Sequence, residues 1–152
     1  SPDRDGNGGR RRRASFVVVV SALVPLFGVA ELAASLHWAH AAPTDAEAEF
    51  LASSTFQRVL GILRGDRRRL QAPQADFMAR LSDDERNAIA DFLGAAVIGG
   101  PDTVRDGLAR LLSDTGADEL MLVCDIFDPA LRLRSLDLAV SARDALGRGT
   151  SA

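Results

Sequence analysis

Lysine and tyrosine are absent from these 152 residues, and cysteine and tryptophan occur once each. With Cys124 alone, no internal disulfide can form and no cysteine cluster can hold zinc. The lack of lysine leaves all 18 basic residues as arginine, among abundant alanine, leucine, glycine and aspartate. Such a bias matches GC-rich coding and carries little chemistry. A large excess of one charge is missing too: the formal net charge is −3, which gives no general push toward nucleic acid or an anionic membrane. No His-Glu-x-x-His, no Gly-x-Gly-x-x-Gly and no P-loop lysine is present. No pair of carboxylates stands out as a general acid and base. The longest apolar run, residues 14–30, is interrupted by Pro25 and Gly28 and falls short of the ~20 residues that span a bilayer.

What is there suits one globular domain. A content of 47% hydrophobic and 26% charged residues is ordinary, and the length allows a real core. Residues 1–13, ending in Arg10–Arg13, read as a disordered basic tail, since a single arginine run without interleaved aromatics is usually solvated. Residues 14–35 form an apolar segment of uncertain role. Together with Ala39-His40-Ala41 they resemble a secretory signal with its cleavage site. The other reading is a buried strand or helix. The cytoplasm is the expected location, with secretion or anchoring through residues 10–41 as the alternative.

From Leu36 the pattern becomes regular. Residues 36–42 predict a short strand. Thr44 and Glu47 make a capping box, opening a helix to about Leu63 with Phe50, Leu51, Val59, Leu60 and Leu63 on its apolar side. Residues 64–76 read as a charged loop, with Arg67–Arg69 solvated. Ser82 and Glu85 make a second capping box, for a helix to about Phe92, and 95–98 predict a strand. Gly100 can cap the next helix, where Pro101 suits the first position and Asp102 the dipole. Val104, Leu108, Leu111 and Leu112 share a helical face. Gly116 is placed as a left-handed C-cap. Residues 119–125 predict a strand, apolar on both faces, and a last helix runs from about Pro129 to Leu146 with Leu133, Leu136 and Val140 on one side. The alternation argues for a parallel α/β sheet.

The stretch VIGGPDTVRDGLARLLSDTGADELMLVCDIFDPALRLRSLDLAV resembles the C-terminal end of bacterial luciferase-like flavin-dependent monooxygenases. The resemblance rests on Val97, Gly99, Gly100, Pro101, Asp102, Thr103 and Val104, then Thr115 to Met121, then Asp128, Arg132 and Ser135. Residues 41–54, AAPTDAEAEFLASS, are similar to a family segment that follows a barrel strand, with Pro43 where the family usually has Asp. The match covers about residues 36–147 and is strongest over 97–140; residues 148–152 are a tail. The family's Arg-Pro-Ser stretch is replaced here by PLFGVAELAAS, and residues 1–30 match nothing expected. The resemblance implies the C-terminal βα repeats of a partial TIM (β/α)₈ barrel, in which 97–128 would supply strand seven, its helix and strand eight. It implies reduced FMN, or a deazaflavin in some branches, and O₂ as the oxidant of an organic small molecule. A separate flavin reductase is the implied partner. Most flavin contacts in the family precede this region, so the chain is expected to be a portion that is inactive alone. An incomplete barrel would also favour self-association. The alternative is a non-catalytic α/β remnant or a secreted or tethered interaction domain. No nucleic-acid partner and no metal are expected.

The residues put forward as cofactor contacts are Gly99, Gly100 and Asp125; no catalytic residue is assigned. Gly99-Gly100-Pro101 at a helix start could hold a phosphate, and otherwise forms a tight βα turn. Asp125 ends a predicted strand, where barrel active sites are built, and otherwise caps the last helix or pairs with Arg132. Cys124 reads as a small core residue, and Trp38 as core rather than a flavin-stacking ring. His37 and His40 read as surface or loop-facing, because a metal site needs more ligands than they supply.

Overall fold

A computed structural model describes residues 15–19, 36–116 and 119–148. In chain order these form β1 (Ser15–Val19), β2 (Leu36–Ala41), α1 (Asp45–Leu63), a 3₁₀ turn (Met78–Arg80), α2 (Asp83–Leu93), β3 (Val97–Gly99), α3 (Pro101–Thr115), β4 (Glu119–Val123) and α4 (Pro129–Arg148). The tail at 1–13 lies outside the described residues, as do 20–35. Residues 15–19 of the apolar segment form a strand that pairs with β4. No helix among the described residues is long and apolar enough to cross a membrane.

The helix ends follow local chemistry. The Thr44 hydroxyl accepts from the Glu47 N–H, and Ser82 and Glu85 complete a reciprocal capping box. Gly100 caps α3, Pro101 opens it, and Gly116 closes it at φ 59°, ψ 18°, a left-handed conformation in which glycine has no Cβ to strain. Val104 and Leu108 are fully buried, each worth about 2 kcal/mol of transfer free energy.

All strand pairs are parallel and the sheet order is β1-β4-β2-β3. β2 lies between β3 and β4, so the two strands of residues 97–128 do not pair with each other. Each half of β2 has its own neighbour. Its first half pairs with β4 (Trp38 opposite Val123), while its second half pairs with β3 (Ala41 opposite Gly99). Helices cover both faces. Ala39 and Ala41 pack with Val104, Leu108, Ala139 and Ala142 of α3 and α4; Trp38 and Ile98 pack with Phe56, Val59, Ile89 and Leu93 of α1 and α2. The architecture is α/β with a parallel open sheet, and no closed barrel is formed by the described residues.

Three smaller expectations change. Phe50 and Leu63 of α1 are 42% and 46% exposed; Ala48, Ala52 and Phe56 join Leu51, Val59 and Leu60 in facing the core. Leu133 is 62% exposed, because the face of α4 that meets the sheet runs through Ser135, Ala139 and Ala142, spaced i, i+4, i+7. Strand β4 stops at Val123 and β3 starts at Val97. Cys124 and Asp125 thus lie past the strand end, level with the second half of β2.

Candidate functional site at the C-terminal edge of the sheet

Parallel strands bring all their C-terminal ends to one edge, which is where open α/β sheets place their ligands. Here that edge holds His40 and Ala41 of β2, Gly99 and Gly100 after β3, and Cys124 and Asp125 after β4. Alternation along β2 sends Trp38 and His40 toward α1 and Ala39 and Ala41 toward α3 and α4.

His40 is 1% exposed, which corrects the surface reading. A central strand flanked on both sides and covered by α1 leaves no route to solvent. His37 is half-buried. The Thr55 hydroxyl donates to the Asp125 carbonyl at 3.1 Å and lies 3.0 Å from His40 Nε2. A hydroxyl has one proton to give, so toward His40 it accepts, and Nε2 carries the ring proton. Nδ1 is then a bare lone pair, buried without a partner. Burial lowers the imidazole to about 4, against a smaller opposing effect of the Asp125 backbone. His40 is neutral at pH 7 and in one tautomer.

The Asp125 carboxylate is 2% exposed and pairs with Arg58 at 2.5 Å. Its expected partner Arg132 instead donates to the Ile126 carbonyl at 2.9 and 2.6 Å. Burial pushes the Asp125 carboxyl up from its ordinary value, and the Arg58 and Arg132 charges restrain that rise. The expected capping role falls to Asp128, whose carboxylate accepts from the Ala130 and Leu131 N–H groups at 2.8 and 3.0 Å. The Arg58 guanidinium also lies 5.9 Å from the Trp38 ring centroid, and Trp38 is half-buried in the α1–α2 cluster.

Cys124 is fully buried, with its thiol 3.5 Å from the Ser135 hydroxyl. Burial pushes the thiol up, keeping it protonated. Ser135 Oγ accepts from the Ala41 N–H at 2.8 Å. Asp128, Arg132 and Ser135 therefore tie α4 to the chain after β4 and to the end of β2.

At the glycine turn, the Gly100 N–H donates to the Asp45 carboxylate at 2.6 Å. That bond and the Thr103 side chain lower the Asp45 carboxyl. A phosphate arriving there would have to displace a carboxylate of the same chain. Gly99 is needed for packing, since an added Cβ would stand 2.7 Å from Asp45 Oδ1 and against the Thr103 side chain. Gly99 and Gly100 sit at the same edge as Asp125 without touching it through any hydrogen bond.

Thr55, Arg58 and Asp45 were missed as site residues. One signal was available: Ser53-Ser54-Thr55 puts three hydroxyls on the buried side of an otherwise apolar helix face, and polar groups there need partners. Among the described residues no group of three or more His, Cys, Asp or Glu could hold a metal ion.

Known proteins resemble this chain over roughly two thirds of its length. No family model matches it. It is 34% identical over 98 residues to the uncharacterized protein YvbT of Bacillus subtilis, covering 64% of this chain and 29% of that protein. It is 33% identical over 106 residues to the luciferase-like monooxygenase of Escherichia coli K12, covering 70% of this chain and 32% of that protein. The crystal structure of apo-MsnO8 superposes with a TM-score of 0.55 at 28% identity, covering 72% of this chain and 33% of that one. The chain spans about a third of the length of these relatives.

Proposed function

The chain resembles the luciferase-like monooxygenases, and from that premise we propose that it is the C-terminal portion of a flavin-dependent member of that family. The observation that carries the reading is the 33% identity to a luciferase-like monooxygenase across 106 residues, 70% of this chain. The reaction class is oxygenation of an organic small molecule, with a reductase supplying the reduced FMN or deazaflavin. When bound, the flavin supplies the electrons that split O₂ between substrate and water.

The residues fit such a group in part. His40 Nδ1 is an acceptor without a donor, but α1 closes it off from a ring N–H. Asp125, held by Arg58, sets the charge beside it. Gly99 and Gly100 would contribute by letting the turn pass closely rather than by donating, because Asp45 already takes the Gly100 N–H. His40, Cys124 and Asp125 are all closed to solvent. That closure favours a second reading, a non-catalytic α/β domain, for the chain by itself.

Exchange tests the family reading. Residues 36–147 in place of the matching third of the E. coli luciferase-like monooxygenase should give a folded, active oxygenase. A chimera with native circular dichroism and no oxygenase activity would overturn it. For the chain alone, titration into riboflavin, which has the flavin ring without a phosphate, should give no saturable quenching of flavin fluorescence. Saturable quenching would show a complete site and refute the partial one.

A further inference from the structure

Residues 64–76 lack helix and strand, yet they are fastened along α1. The Asp66 N–H donates to the Gly61 carbonyl at 2.7 Å. A Cβ on Gly61 would stand 2.6 Å from the Asp66 carbonyl oxygen, so glycine is what lets the chain fold back this closely. Farther on, Gln57 Nε2 donates to the Ala72 carbonyl at 2.9 Å, and the Gln74 N–H donates to Ser53 Oγ at 2.8 Å. Gln74 Nε2 reaches Gln57 Oε1 at 2.7 Å, and Gln71 Nε2 reaches the Arg69 carbonyl at 2.8 Å. Four of these hydrogen bonds join α1 to residues 64–76 and hold that segment as a strap along the helix, which a merely solvated charged loop does not require.

Between the strap and α1 lies a cavity of about 270 Å³. Arg58, Arg64, Arg68 and Arg69 line it, with Asp66 as the one carboxylate. Arg58 is tied to Asp125, Arg64 to Glu85 and Arg68 to Asp66. The Arg69 guanidinium has no hydrogen bond or ion pair among the described residues. Leu60 and Phe77 add an apolar patch. Arginine forks match phosphate oxygens in pairs. Three of the four already meet a carboxylate, which leaves the Arg69 fork as the cation open to an anion, with Arg68 beside it.

We propose that this cleft binds the phosphomonoester or pyrophosphate group of a small ligand. The volume admits one such group with part of its carrier. A nucleic acid would need a basic stripe and several stacking rings; the lining holds one aromatic ring, and the whole chain is acidic. The proposal does not rest on the flavin reading, because the cleft is built by α1 and the strap alone.

Calorimetric titration of the full chain with inorganic phosphate and with pyrophosphate, at constant ionic strength, tests it. Pyrophosphate should bind at one site and more tightly than phosphate. Arg69→Gln and Arg68→Gln should each weaken it about tenfold, while Arg110→Gln on the exposed side of α3 should leave it unchanged. Absence of saturable binding at millimolar pyrophosphate would overturn the proposal. So would an equal loss in Arg110→Gln, which would mark a diffuse charge effect. Affinity that appears only with oligonucleotides would overturn it in favour of a polyanion surface.

Discussion

His40 shows how a single residue changes meaning with its neighbours. In the sequence it is one of two histidines three apart, too few for a metal and easily assigned to the surface. Pairing with Ile98 on one side, the chain after β4 on the other and Thr55 above make it a buried, neutral group instead. Its folded value of about 4 lies below the ordinary 6.5 of the unfolded chain. Between those values the unfolded chain binds a proton that the folded chain does not, so stability must fall as pH drops. The contribution, on the order of 3 kcal/mol, is complete above pH 6.5 and lost by about pH 4. Urea midpoints measured from pH 7.5 to 4.5 should decline over that window, and His40→Asn should flatten the decline. An unchanged slope in the variant would show that other groups carry it. Asp125 was legible as a strand-end acid, but its partner was not, because Arg58 lies 67 residues earlier in the chain.

Elements were legible where local chemistry decides them. The two serine and threonine caps, the proline start of α3 and the glycine end at Gly116 lie within a few residues of the groups they satisfy. Apolar spacing on α4 misled, because Leu133 repeats with Leu136 and Val140 while Ser135, Ala139 and Ala142 meet the sheet. Small residues are chosen there because α4 packs closely on β2, and hydropathy does not register closeness. Ser135 has a specific duty in that packing. Ser135→Ala should cost about 1–3 kcal/mol, since the buried Ala41 N–H loses its acceptor. Ser141→Ala, an exposed position on the same helix, should stay within about 0.5 kcal/mol. Thermal or chemical denaturation of both variants distinguishes the two. The strap at 64–76 was unreadable for a related reason. Its order comes from side chains of α1 and not from any periodicity of its own.

At the scale of the whole molecule, the described residues leave Phe50, Leu63, Phe92, Phe127 and Leu133 between 42% and 62% exposed, and β3 is an edge strand of three residues. Exposed apolar rings and an open parallel edge favour association. Sedimentation velocity at tens of micromolar should show species heavier than the 16.2 kDa chain; a single monomeric boundary would count against it. The resemblance to luciferase-like monooxygenases was readable from the glycine turn, the Thr115–Met121 run and the Asp128, Arg132, Ser135 spacing, because such motifs are contiguous or spaced within one element. The sequence by itself determined the parallel α/β class, the helix caps and this kinship, all of which follow from short-range spacing. Only the tertiary structure decided that β2 separates β3 from β4, that Asp45 occupies the glycine turn, and that His40, Thr55, Asp125 and Arg58 meet. Those contacts join residues up to 85 positions apart (His40 to Asp125), and burial and pairing at such separations depend on how the layers stack, which no local pattern encodes.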